Sequence, residues 1–148
     1  MIGAARTVAR TLLSLFLVAA GVGHFVAPEA FLAQTPTWLP ARPAIVAISG
    51  AIEIGLGVAL LVVVRHRRLV GWLTAAFFVA VFPGNVHQAV SGTEAFGLDT
   101  PAARWVRLAF QPILVVWALW ATGVLGRGPR GGRTPDRQHD AGGPPMEA

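Results

Sequence analysis

Residues 44–64 read AIVAISGAIEIGLGVALLVVV, a run in which Ser49 and Glu53 are the only polar side chains. At 1.5 Å per residue a helix of this length covers about 30 Å, the thickness of a bilayer's hydrocarbon core. Three more runs of the same kind flank it, over 8–26, 69–90 and 106–125. The last helix is read as starting earlier, because Thr100 followed by Pro101 has the pattern of an N-cap with proline at the first helical position. The expected fold is therefore all-α: a bundle of four transmembrane helices over about 8–26, 44–64, 69–90 and 101–125, forming one domain from 1 to 125.

Composition agrees. The chain has 148 residues, 54% of them hydrophobic and 13% charged, with a mean hydropathy of +0.60. Soluble domains carry about 25% charged residues, so a soluble globular domain is excluded. All twelve basic residues are arginine, and the net charge is +5. These arginines flank apolar runs or fall in the tail, with no basic groove interleaved with aromatics, so nucleic acid is not an expected partner. Membrane lipid is.

Arginine counting sets the expected orientation. Arg6, Arg10, Arg65, Arg67, Arg68, Arg127, Arg130, Arg133 and Arg137 fall on one side, and Arg42, Arg104 and Arg107 on the other. The positive-inside rule then places both termini in the cytoplasm of a multi-pass cell-membrane protein. Trp38 and Trp105 mark the outer interface and Trp72 the inner one. The proline-rich stretch 28–43 is expected to lie as a loop against the outer surface, and 65–68 to be a tight turn. Residues 126–148, with ten Gly or Pro among 23, read as a disordered cytoplasmic tail. Arg6, Arg10 and the small residues Val18-Ala19-Ala20 resemble a cleavable leader. The apolar run continues to Val26, however, which favours a retained span.

Polar residues inside membrane spans are costly and mark candidate sites. Here they share a depth. His24 ends the first run, and Glu53 lies nine residues into the second, about 13 Å from its outer end. Asn85 and His87 occupy the outer third of the third run, beside Gln88. Arg107 and Gln111 share one face of the fourth. The opposite half of every helix is aliphatic or aromatic. Glu53 is the sharpest member, with Ser49, Gly50 and Gly57 allowing a neighbouring backbone close by. A carboxylate at this depth must find a cation, bind a ligand or hold a proton. Arg107 is the best-placed cation in sequence, with His24 and His87 behind it.

Pro83 and Pro112 interrupt the third and fourth helices and free the carbonyls of Val79 and Leu108. Phe82-Pro83-Gly84-Asn85 is hostile to helix, and Asn85 or Gln111 is expected to satisfy a freed group or line a cavity. His24 and His87 meet the minimal requirement for bis-histidine haem ligation. His24 sits near the interface, though, and His87 follows a broken turn, so hydrogen-bonding or interfacial roles suit these two residues better than haem ligation. Two histidines and one glutamate make no zinc set, and without cysteine the chain has no disulfide or thiolate chemistry of its own.

Gly23-His24-Phe25 with Pro28 and Phe31, Trp38-Leu39-Pro40, Ser49-Gly50 with Glu53 and Gly57, Phe82-Pro83-Gly84-Asn85, and Arg107-Leu108 with Gln111 form an ordered set. In order and spacing it resembles the DoxX-like family of small four-helix bacterial membrane proteins, across about residues 6–125. The resemblance implies a subunit or accessory protein of a membrane redox system, without independent catalysis, working beside a membrane or peripheral redox partner. Under this reading the polar layer holds a quinone-type or other amphipathic ligand, bound by His24, Asn85, His87, Arg107 and Gln111, with Glu53 exchanging a proton. Two other readings stand beside it: a small proton-coupled transporter acting as a homodimer, and a purely structural membrane protein.

Overall fold

The computed structural model describes residues 1–92, 97 and 100–126. Every regular element among them is a helix: α1 (Ile2–Val26), α2 (Pro28–Gln34), α3 (Arg42–Val62), α4 (Arg67–Ser91) and α5 (Pro101–Ala121). Four of these, α1, α3, α4 and α5, are long and apolar enough to cross a membrane. From 127 onward, the tail expected to be disordered lies outside the described residues.

The expected start of α5 is present: the Thr100 hydroxyl accepts the amide of Ala103 at 3.2 Å, with proline next in line. Its end is not where the apolar run suggests. The helix stops at Ala121 rather than 125, because Gly123 turns left-handed (φ 77°). The amide of Gly123 donates to Trp120 O at 3.0 Å and that of Val124 to Leu119 O at 2.9 Å. Those two bonds make the double-bonded C-terminal cap that a glycine favours. The apolar residues after it belong to a turn.

Two helix pairs carry most of the packing, α1 on α3 and α4 on α5, and thinner contacts of α1 with α5 and α3 with α4 close the ring. Small residues explain the first pair. A methyl group on Gly50 would sit 2.6 Å from His24 Cβ, and one on Gly57 would sit 2.7 Å from Val18 Cγ2. Backbones this close let Ser14 Oγ donate to Gly57 O at 2.6 Å. In lipid, where apolar burial gives helices no advantage over lipid tails, such close packing and buried hydrogen bonds hold a bundle together. In the second pair, Gly71 admits Thr122 in the same way.

Leu13, Leu17, Leu60, Val70, Phe78 and Ala118 form a dry core between the pairs. Trp117 Nε1, donating to Ala9 O at 3.1 Å, ties α5 to α1. The start of α1 and the turn after α5 meet on one side of the bundle, where Arg6 donates to Leu125 O at 2.9 Å and Arg68 to Gly123 O at 3.1 Å. The short turn between α3 and α4 lies on that same side.

Two sequence expectations are corrected here. The stretch 28–43 is not a loop throughout: Pro28–Gln34 is helix α2, and its Phe31 is buried in the bundle. Pro28 is tolerated at the first helical position, and Glu29 follows in the first turn. Nor does Phe82-Pro83-Gly84-Asn85 break the third span, since α4 runs unbroken to Ser91. A donor from α5 supports the backbone there, as described next.

Candidate functional site

At the end of the bundle away from Arg6 and Leu125, the two helix pairs stand apart around a half-open cavity of about 1000 Å³. Each element delivers part of its lining. His24 reaches it from the last turn of α1, pressed between α3 at Gly50 and the Phe31 ring of α2. The two rings stack at 3.6 Å between centroids with an interplanar angle of 28°. Glu53 enters from α3, one turn beyond the small residues Ser49 and Gly50, and is only 9% exposed. Asn85 comes from α4, and Arg107 and Gln111 come from the shared face of α5.

Asn85 and Gln111 satisfy each other and the backbone. Asn85 Nδ2 donates to Gln111 Oε1 at 2.9 Å, and Gln111 Nε2 donates to Phe78 O at 2.6 Å. A glutamine from the facing helix thus supports the α4 backbone one turn before Pro83. The expected acceptor was Val79, the carbonyl that Pro83 frees. Val79, however, points outward, 60% exposed, whereas Phe78 is buried against α5. The side chain supports the carbonyl on the face it can reach.

Glu53 does not meet the cation the sequence favoured. It sits instead beside His24, whose Nδ1 lies 3.4 Å from Oε2. The same nitrogen lies closer, at 3.0 Å, to Ala20 O. One ring proton serving both leaves the carbonyl with the better share, and Glu53 Oε2 is buried without a hydrogen bond. Arg107 is close enough to act on Glu53 electrostatically, but it donates to Gln34 Oε1 of α2 at 3.1 Å. Helix α2 is held from the start of α3 as well, where Arg42 donates to Leu32 O, and its own C-cap Thr35 donates Oγ1 back to Phe31 O at 2.8 Å.

His24, Glu53, Asn85, Arg107 and Gln111 are therefore brought to one cavity. His87 is not: it is half-buried, outside the lining, so the two histidines do not face one another across the cavity as a haem pair requires. Sequence reading missed Phe31 and Gln34, because 28–43 was taken for a loop. The signal was Ala27-Pro28-Glu29, a helix start with proline at its first position and an acid in its first turn.

Most of the wall is apolar. Phe16, Phe31, Phe78, Phe110, Leu114 and Trp117 line it. Phe16 on α1 and Phe110 on α5 also face outward, 46% and 53% exposed. Both residues therefore belong at once to the cavity wall and to the outer surface of the bundle. A large, mostly apolar cavity with a few convergent polar groups is the usual form of a small-molecule site.

A family model described as a domain of unknown function (DUF8561) matches residues 13–122, which takes in α2, α3 and α4, most of α1, all of α5 and the whole cavity lining. Among curated proteins and among solved structures, none matches the chain.

Proposed function

We propose that this chain, which belongs to the DUF8561 family of unknown function, holds an amphipathic ligand of quinone type between its helix pairs. In this reading it is a non-catalytic subunit of a membrane redox system. The observation that carries the proposal is Glu53, a carboxylate side chain only 9% exposed, in the lining of a cavity of about 1000 Å³ whose wall is otherwise mostly apolar. A polar group buried with too few partners costs roughly 1–3 kcal/mol, and a ligand polar group beside this side chain offsets part of that cost. A planar ring fits among Phe31, Phe78, Phe110 and Trp117. Its oxygens accept from the Gln111 amide and from Glu53 when that carboxyl is protonated. In the quinol form a ring hydroxyl donates to the Glu53 carboxylate, so that Glu53 is the proton-exchanging group. An isoprenoid tail leaves past Phe16 and Phe110 into lipid. The arginine-rich end faces the cytoplasm, which puts the cavity in the outer half of the cell membrane. The DoxX-like resemblance of the motifs belongs to this proposal and supports the same assignment.

The test uses decylubiquinone as probe, with the full chain in lipid nanodiscs and quenching of tryptophan fluorescence as readout. Expected is saturable quenching, weakened about tenfold (~1.4 kcal/mol) in Glu53→Gln and less in Gln111→Leu. Quenching that rises linearly without saturating, or saturates equally in the wild type and both variants, overturns the assignment.

A further inference from the structure

The end of the bundle opposite the cavity carries a second hollow, of about 480 Å³, lined by Arg6, Arg65, Arg67 and Arg68 with Gly123 and Gly126. The arginines come from separate parts of the chain: Arg6 from the first turns of α1, Arg65 from the turn after α3, and Arg67 and Arg68 from the start of α4. Two of them are anchored by the main chain. Arg6 Nη2 donates to Leu125 O at 2.9 Å, and Arg68 Nε donates to Gly123 O at 3.1 Å. The Arg6 guanidinium also lies 5.9 Å over the Trp120 ring. The left-handed turn after α5 makes room for this: Gly126 has φ 125°, and a Cβ there would run into the Arg6 guanidinium.

A guanidinium carries five N–H donors, so one anchoring bond on Arg6 and one on Arg68 leave most of their donors for a ligand. Charge balance points the same way. The chain has seven acidic residues, and the two among the described residues lie elsewhere, Glu29 on α2 and Glu53 in the cavity. Two like charges 4 Å apart repel by about 1 kcal/mol even at the dielectric constant of water. Among the described residues, no carboxylate offsets four arginines gathered in one hollow. An anion would.

We infer that this hollow binds a phosphoryl group, supplied by the headgroup of an anionic membrane lipid. The hollow lies at helix ends, the depth at which headgroup phosphates stand beside a spanning bundle. Forked guanidiniums match phosphate oxygens bidentately, whereas an ammonium meets them as a point charge. This separates a built site from general attraction of basic residues to an acidic surface, which reads charge alone. The inference does not depend on what the cavity at the other end holds.

The experiment reconstitutes the full chain in phosphatidylcholine nanodiscs containing a minor fraction of phosphatidylglycerol and counts retained lipids by native mass spectrometry after release into detergent. Expected is one phosphatidylglycerol held per chain, with the bound fraction lowered about tenfold by Arg6→Lys with Arg68→Lys. Arg104→Lys, at the cavity end, leaves it unchanged. Should the first pair not fold, the exposed pair Arg65→Lys with Arg67→Lys carries the same expectation. A parallel arm titrates inorganic phosphate into nanodiscs of phosphatidylcholine alone. Saturable phosphate binding that the lysine variants weaken, without retained phosphatidylglycerol, keeps the site and makes its occupant a soluble phosphate. Lipid retention that is equal in the lysine variants overturns the inference, as does binding of neither lipid nor phosphate.

Discussion

The two ends of this bundle are built from the same helices and behave as different materials. At the end where α1 starts, Leu13, Leu17, Leu60, Val70 and Ala118 close on one another, and Ser14 bridges α1 to α3. At the other end α2 is wedged in, its Phe31 against His24, and the walls stand apart around a cavity of about 1000 Å³. The difference teaches where stability and binding are separated. Helices in lipid gain little from burying apolar side chains against each other and depend on close fit. The end that fits holds the bundle. At the other end the pairs stand apart and polar groups line the space between them, although α1 and α3 stay in close contact there at Gly50 and His24.

Breaking the close fit should have the largest effect. Gly57→Val places methyl groups against Val18 and the Ser14 carbonyl. Because one obstacle is backbone, the expected cost is about 3 kcal/mol, at the upper end of ordinary overpacking. Loss of monodisperse protein in detergent, or a matching drop in unfolding free energy, is the readout. A variant as stable as the wild type would show that α1 and α3 can separate without penalty.

A matched pair of truncations sharpens the comparison directly. Leu17→Ala removes a side chain that is 0% exposed and should cost about 2 kcal/mol, the low end of the cavity series, because lipid supplies no transfer term. Phe110→Ala removes a larger side chain from the cavity wall and should cost under about 1 kcal/mol, since no packed neighbour on the cavity side loses contact. Equal costs in steric-trap or denaturant unfolding would erase the distinction between the two ends.

The smallest effect is expected within the polar layer. Asn85→Leu and Gln111→Leu each break the Asn85–Gln111 hydrogen bond. A double-mutant cycle should therefore give a coupling of about 0.6 kcal/mol, the usual size for interhelical hydrogen bonds in membranes. Additivity would mean that this bond contributes nothing to holding α4 against α5, leaving that role to the Gln111 bond to Phe78 O.

Legibility in the sequence followed the range of each interaction. Glu53, Gln111 and the small residues Gly50 and Gly57 were readable because apolar runs make every polar or missing side chain stand out. The Thr100 cap was readable because it is local. The partner of Glu53 was not. Arg107 was favoured on charge, but it is held by Gln34 on a helix that the sequence reading treated as loop, and His24 took the place beside the carboxylate. His87 had the right residue type at the right depth on its span, yet it stands outside the cavity lining.

Amino-acid order alone determined that this chain forms four long apolar helices with one polar layer, because hydropathy and 3.6-residue periodicity act within a segment. Only the tertiary structure decided that α1 pairs with α3 and α4 with α5, that α2 enters the bundle, and which polar groups meet. Those outcomes depend on backbones approaching at glycines and on side chains reaching across from other helices. No single segment carries that information, because the fit belongs to the pair.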